Sequence, residues 1–543
     1  MKKVLFTKNT KLESNTYYYF DKDILEYRKE DTIPLYEREY FCQSVTHSDH
    51  HDVCVYINNL ENVIIDFNGA TLFLYGALQP FIIRDSKNIE IKNLVVKYDR
   101  PFYTQMKLVE KGEGYLKCLV DKGFPYEVRD GEFIPYSDNW RDETVKNAYV
   151  FMQEFDPATH DGIEWPVVLL GDKTKDRCYL PWGDEACSIL AYQEGEYLVF
   201  KGHKIPEYNV GSILILCVDN RDISSVTAYN SKDLKFTNYR IINGHGMGLM
   251  PVYCENITVD GLKYFYDEMS SSIAANSADG IHAVSSKGDI IIKNSIFNGT
   301  IDDALNIHSN FYSVLGTDKN VIKAKTPDPV DFFKIFDKGD EIAIYNGHSM
   351  EELYRRKILN IIKLGRFTYE FTLDKEVGEI PEGSLIENMS TQPNVHIDNC
   401  SFGKANTHLR FQTRGKVLIE NSKTDMDLMT TGDTNYWYES SPVCDMVMRN
   451  MYFNVKNRPA FASIPEFRST EKAPYYHKNI TIENSTFTNK FAAYFRFTDN
   501  ITFKDNVNLS GEKLEIILDH CGTFNTNMDV DVKRTNEKAS RDE

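Results

Sequence analysis

The sequence is short of three things, and each shortage closes off a class of protein. It has no C-x-x-C pair. Its 10 cysteines are scattered from Cys42 to Cys521, which argues against a zinc site or a dense disulfide framework and fits reduced thiols in a core. It has no apolar run near the roughly 18 residues of a membrane span. Its start, Met1-Lys2-Lys3-Val4-Leu5-Phe6-Thr7-Lys8-Asn9, follows two lysines with three apolar residues, where a secretory core needs about 7–15. As written, the chain is expected to be cytoplasmic and without a membrane partner; a secreted form trimmed of its leader fits the same residues. Positive charge is the third shortage, with 62 Lys plus Arg against 80 Asp plus Glu and a net charge of −18. A chain this acidic repels nucleic acid and polyanionic polysaccharide outside any local basic groove.

What the chain does have is length and β character. Its 543 residues are 42% hydrophobic and 13% aromatic, with 33 Tyr and 32 Phe, which suits both strands and sugar stacking. Short alternating runs, most of them opening on Asn or Asp, recur along it. Asn62-Val63-Ile64-Ile65-Asp66 is followed by Asn88-Ile89-Glu90-Ile91-Lys92-Asn93, then Asp233-Leu234-Lys235-Phe236-Thr237-Asn238 and Asn256-Ile257-Thr258-Val259-Asp260. The run returns at Asp289, Asn394, Lys416, Asn479 and Asn500, with steps such as 26, 23, 33 and 21 residues. A period-2 strand closed by a polar turn at about this spacing predicts the stacked coils of a parallel β-helix.

Two long stretches lack the repeat, and structureless loops beyond about 15 residues are rare in compact domains. The sequence therefore predicts an all-β protein: a right-handed parallel β-helix with two inserted small antiparallel β domains. Its expected divisions are an N-terminal segment 1–45, first coils 46–101, an insertion 102–225, coils 226–310, a second insertion 311–390, C-terminal coils 391–525 and a polar tail 526–543. The last dozen residues are charged and expected to be disordered. The run Thr46-His47-Ser48-Asp49-His50-His51-Asp52 has metal-binding composition but no regular ligand spacing, and reads as a solvated loop.

The candidate chemistry lies in Asp279-Gly280-Ile281-His282 and Ile301-Asp302-Asp303-Ala304-Leu305-Asn306-Ile307-His308. Asp279 and Asp302 are 23 residues apart, about one coil, so their strands would stack about 4.8 Å apart. Asp303 joins them only if the backbone turns or bulges, since side chains alternate along a strand. Crowded carboxylates repel, so one should hold a proton near neutral pH, as a glycoside-cleaving acid/base pair requires. Asp and Asn are also ordinary corner residues of a β-helix. Downstream, Arg410 and Arg414 offer fork-shaped hydrogen bonds to hydroxyls, and Trp437 a flat face for the apolar side of galactose.

Together with Thr413-Arg414-Gly415-Lys416-Val417-Leu418-Ile419-Glu420-Asn421 and Gly432-Asp433-Thr434-Asn435-Tyr436-Trp437-Tyr438-Glu439-Ser440, these runs resemble glycoside hydrolase family 110. That family comprises inverting exo-α-1,3-galactosidases, among them enzymes that cleave the blood group B antigen. Asp99-Arg100-Pro101-Phe102 and Glu387-Asn388-Met389-Ser390 are similar to it too, and the resemblance spans roughly residues 50–510. Asp433-Thr434-Asn435 and Thr407-His408-Leu409-Arg410 depart from the family's pattern. The resemblance implies hydrolysis with inversion, without metal, cofactor or covalent intermediate. It implies an oligosaccharide with terminal α-galactose as the partner, with assembly as a homodimer an open option. Asp279, Asp302 and Asp303 are the implied catalytic residues. His282, Asn306, His308, Arg410, Arg414, Asp433, Trp437 and Glu439 are the implied sugar-binding residues. Asp279 is assigned as general acid and Asp302 with Asp303 as the base pair; the polygalacturonase analogy instead makes Asp302 the acid. A polygalacturonase-like glycosidase and a sugar-binding β-helix without catalysis are the competing readings.

Overall fold

The structure is a computed structural model. It describes residues 1–35, 51–137, 140–141, 149–164, 167–170, 177–179, 185–203, 205–218, 223–266, 271–326, 335–365, 367–403, 408–432, 437–467, 470 and 472–535.

The repeat in the sequence becomes a stack of parallel strands. Glu61–Asp66, Lys87–Tyr98, Lys232–Ile242, Glu255–Asp260, Lys287–Lys293 and Asn394–Asp398 pair in sequence, with one register shift, between Glu255 and Ile257. The stack continues through Val417–Glu420, Met446–Arg449, His477–Glu483 and Thr498–Lys504. The alternate residues of each strand point inward: Ile65, Ile91, Ile292, Ile397, Ile419, Ile482 and Ile501 have no exposed surface. Each such side chain stabilises the fold by about 1.5–3 kcal/mol. Stacked aromatics extend the column, as with Phe297 on Phe402 at 5.0 Å and Phe453 on Phe487 at 4.7 Å.

The recurring Asn explains the turns. Asn62, Asn88, Asn256, Asn479 and Asn500 all have positive φ, between 52° and 57°, a left-handed conformation that Asn tolerates better than most residues. Their side chains also form a ladder from coil to coil, Asn88 Nδ2 donating to Asn62 Oδ1 at 2.8 Å and Asn500 Nδ2 to Asn479 Oδ1 at 2.7 Å. Turn geometry and inter-coil bonding thus select the same residue.

The coils begin earlier and end later than the repeat suggests. Lys2–Leu5 pairs in parallel with Thr16–Tyr19, and Thr16–Tyr19 with Val63–Asp66 of the next coil. The step from Thr16 to Val63 is 47 residues, too long for the periodicity to register. At the other end Asp531–Thr535 pairs with Glu515–Asp519. Residues 536–543 and 46–50 of the His/Asp run lie outside the described residues.

Two domains interrupt the coils. The first is built on Tyr103–Gly112, antiparallel to Tyr115–Val120 and to Ile213–Val218. It grips the coils ahead of the candidate carboxylates: the Tyr103 hydroxyl donates to the Ala274 carbonyl at 2.6 Å, and Gln153 Nε2 to the Ile301 carbonyl at 3.3 Å. The second domain grows from a coil strand itself. Leu305–Asp318 starts as a β-helix strand beside Ile281–Val284, then continues outward to pair antiparallel with Val321–Lys325 and Leu385–Asn388. A strand shared between coil and insertion leaves no hinge between them.

Candidate active site

The site is set by one register. Ile281 pairs with Leu305 and Leu305 with Leu409, and Gly280 N–H donates to the Asp303 carbonyl at 2.9 Å. Asp279 therefore lies directly below Asp303, one coil away, and Asp302 is the neighbour on the turn. A count from Asp279 to Asp302 is one residue short of this register. Glycine is required at position 280, because a Cβ there would stand 2.5 Å from the Ala304 carbonyl oxygen. Close approach of the two coils at this point is thus built into Asp279-Gly280.

Asp279 and Asp303 are 2% and 3% exposed, whereas Asp302 is half-buried and reaches solvent. Burial pushes the Asp303 carboxyl up to about 6; Arg410 opposes the shift, and Asp302 and Asp279 add to it. Asp303 Oδ1 accepts from the His408 backbone N–H at 3.1 Å, and Asp303 N–H donates to Asp302 Oδ1 at 3.0 Å.

From Asp279 a run of polar groups leads through His282, His308, Glu439 and Arg410 to Asp303. His282 Nδ1 is 2.6 Å from Asp279 Oδ2, and its Nε2 is 2.9 Å from His308 Nε2. His308 Nδ1 donates to the Ser309 carbonyl at 2.7 Å, and its Nε2 lies 3.7 Å from Glu439 Oε1. Glu439 accepts from Asn306 Nδ2 at 3.1 Å and from Arg410 Nη1 at 3.3 Å. Arg410 Nε, in turn, is 3.3 Å from Asp303 Oδ2. Burial draws His308 down to about 4, so it is neutral near pH 7. Burial also opposes the charge on Glu439, but His308, Arg410 and His282 outweigh it and hold its carboxyl at about 2. His308 acts in this way only where it is itself charged, below about 4; near pH 7 Arg410 is a cation that still favours the ionised Glu439.

His282, His308 and Glu439 have ligand atoms within 4.8 Å of one another, a spacing an ion could use. The two Nε2 atoms are at hydrogen-bond distance, however, and Glu439 already accepts from Asn306 and Arg410. The trio is a hydrogen-bonded network.

The structure thus gathers Asp279, Asp302, Asp303, His282, Asn306, His308, Arg410 and Glu439 around one point. It does not bring Arg414 there. Arg414 Nη2 stands 3.1 Å from Glu387 Oε2 and 2.7 Å from the Tyr345 hydroxyl, both in the second insertion, and Glu387 also accepts from Ser441. Trp437 is half-buried near Glu439 in sequence. Asp433 lies outside the described residues. Two neighbours of the carboxylates escaped the motif reading: Ser309, which fixes the His308 ring through its carbonyl, and Asp427, whose Oδ2 is 2.9 Å from His408 Nδ1. A carbonyl has no sequence signal. Asp427 has one only in retrospect, 19 residues from His408, one further coil up.

Several curated proteins are similar to the chain over most of its length. α-1,3-Galactosidase B of Bacteroides thetaiotaomicron is 25% identical over 494 residues, covering 87% of this chain and 77% of its own. α-1,3-Galactosidase A of the same organism is 29% identical over 444 residues, covering 80% and 74%. α-1,3-Galactosidase B of Akkermansia muciniphila is 26% identical over 480 residues, covering 84% and 57%. These relatives bear out the resemblance to the α-1,3-galactosidases of glycoside hydrolase family 110. No model of a known protein family matches the chain. Among solved structures it is similar to PfbA, a surface adhesin of Streptococcus pneumoniae, at 10% identity and a TM-score of 0.40, over 95% of this chain and 83% of that one. It is also similar to the A-module of Azotobacter vinelandii mannuronan C-5 epimerase AlgE4, at 10% identity and a TM-score of 0.35, over 96% and 91%.

Proposed function

We propose that this chain is a glycoside hydrolase that removes terminal α-1,3-linked galactose from oligosaccharides, by general acid/base catalysis with inversion. One observation carries the chemistry: two buried carboxylates, Asp279 and Asp303, stacked on adjacent coils with a third, Asp302, beside them at the solvent edge. Burying two carboxylates on adjacent coils is unfavourable unless something compensates, and corner residues have no need of it. The names of the relatives supply the sugar and the linkage.

The surroundings of the three favour one division of labour. Asp279 faces His282 Nδ1 at 2.6 Å, and an N–H donated to a carboxylate favours its charged form. Asp303, with Arg410 alongside and a carboxyl at about 6, is ionised near pH 7. Those two are suited to hold and deprotonate a water. On this reading Asp302, half-buried at the edge beside the other two, is the remaining carboxyl and the one that protonates the departing glycosidic oxygen. Of the assignments the sequence leaves open, this is the one with Asp302 as acid. On this reading Trp437, half-buried and two residues before Glu439, is the platform on which the galactose stacks.

A polygalacturonase-like reading is less favoured because it needs cations for uronate carboxylates. Arg410 is already placed between Asp303 and Glu439, and Arg414 is held by Glu387. The deciding experiment is proton NMR of the first product from an α-1,3-linked galactoside. β-Galactose appearing first is the expected result. α-Galactose first would mean retention and remove the two-sided water mechanism, and no galactose at all would remove the enzyme.

A further inference from the structure

The row Asp279–His282–His308–Ser309 fixes a count of protons. The Ser309 carbonyl can only accept, so His308 Nδ1, 2.7 Å away, carries a hydrogen. The Nε2 atoms of His308 and His282 face each other at 2.9 Å, and that contact needs a hydrogen between them. His282 Nδ1 and Asp279 Oδ2, 2.6 Å apart, need one as well. The row therefore holds three hydrogens. Two neutral imidazoles and a carboxylate supply only two. With two, either bare lone pairs confront each other between the rings, or a bare ring nitrogen confronts a carboxylate oxygen; both contacts repel.

We propose that His282 and His308 are positioning residues that hold one surplus proton against Asp279, so that Asp279 presents a carboxylate to the substrate with an imidazolium behind it. Its consequence for turnover rests on the glycosidase reading; the proton count does not.

The placement of that proton follows from the neighbours. An imidazole ordinarily binds a proton more tightly than a carboxylate, with values of about 6.5 against 3.9. Of the two rings His308 is the poorer holder, since burial lowers it to about 4, and it takes the accepting role at Nε2. His282 is left donating from both nitrogens. From the coil below, Met250 is the register partner of His282's strand and brings no charge. From the coil above come Asp303, Asn306 and His308, and beyond them Glu439 and Arg410. Tyr264 approaches from the adjoining sheet, but its hydroxyl donates to the Gly280 carbonyl at 2.6 Å. The negative groups Asp303 and Glu439 favour a cation in the row, and Arg410 opposes it. Loss of the surplus proton at high pH would leave a buried carboxylate facing a ring lone pair, so this row should contribute to the alkaline limb of activity together with the acid, Asp302.

The test is direct. In the full chain with 15N-labelled histidine, assigned by the signals missing from His282→Gln and His308→Gln, the His282 ring should be doubly protonated near neutral pH. His308 should be neutral, with its hydrogen on Nδ1. His308→Leu removes the acceptor and should move the alkaline limb of kcat/KM down by about one pH unit. His308→Gln, whose amide oxygen can accept, should return it toward wild type. A singly protonated His282 in the wild-type spectrum overturns the proposal, as does an alkaline limb that His308→Leu leaves in place. Release of one bound metal per chain by chelator, with loss of activity, would also overturn it by making the facing Nε2 atoms ligands. If no glycoside is turned over, the spectra still decide the proton count and only the reading of function falls.

Discussion

Asp303 sits one coil above Asp279 at the same register position, held there by the Gly280 N–H donated to the Asp303 carbonyl at 2.9 Å. That bond fixes the main chain of both residues, and their side chains are 2% and 3% exposed. Two buried acids in a fixed stack are expected to work as a unit. Asp279→Asn, Asp302→Asn and Asp303→Asn should each lower kcat by about 10²-fold or more, the range typical of acid/base groups. The melting temperatures of Asp279→Asn and Asp302→Asn should stay near wild type. A variant that keeps more than about a tenth of the wild-type rate would lose its catalytic assignment.

The three variants should differ in their response to the leaving group. An acid is needed less when the leaving group is already stable as an anion, whereas a base is needed either way. On an α-galactoside with a strongly acidic phenol as leaving group, Asp302→Asn should recover most of its lost rate, and Asp279→Asn and Asp303→Asn should not. Recovery in Asp279→Asn instead would return the acid role to Asp279.

The raised carboxyl of Asp303 has a consequence for stability. Its value of about 6 in the fold exceeds the roughly 3.9 of an unfolded chain, so between those pH values the folded state binds more proton. The contribution is fully present below about pH 4 and is lost as pH rises through about 6, at most about 3 kcal/mol in all. Asp303→Asn does not titrate. Its melting temperature relative to wild type should therefore climb between pH 4.5 and pH 7, a window set by these two values. A constant difference across that range would show that Asp303 is not perturbed.

The β-helix was legible because one residue type serves two needs at each corner: Asn62, Asn88 and their successors take the left-handed turn and bond to the next coil. The first coil was not legible, since Thr16–Tyr19 meets Val63–Asp66 across 47 residues and a single long step carries no period. The chemical residues were visible as motifs, but the pairing of Asp279 with Asp303 was not. Register is anchored by the strands Ile281–Val284 and Leu305–Asp318, and counting from one acid to the next misses it by a residue. The partner of Arg414 lay further from view, because Glu387 arrives through the second insertion, whose path only the folded chain reveals.

Arg410 links Asp303 to Glu439, with contacts of 3.3 Å to each. Removing it leaves both carboxylates without their cation, and Asp303 should bind its proton more tightly still. Arg410→Met is expected to shift the acid limb of kcat/KM upward by about one pH unit or more. An unmoved acid limb would mean that Asp303 does not control it.

Arg414 should behave in the opposite way, although the sequence pairs it with Arg410 as a sugar ligand. Its guanidinium lies against Glu387, whose side chain is fully buried, and against Tyr345. Arg414→Met strands that carboxylate, and breaking a buried pair costs about 3–5 kcal/mol. Glu387→Gln in the same chain should recover part of the loss, because no uncompensated charge then remains. The pH limbs should stay where they are, since Arg414 contacts neither Asp279 nor Asp303. A large fall in melting temperature with unchanged limbs therefore separates Arg414 from Arg410. The converse, a stable Arg414→Met with a sharply raised KM for galactoside, would place the guanidinium on the sugar and make its pairing with Glu387 secondary.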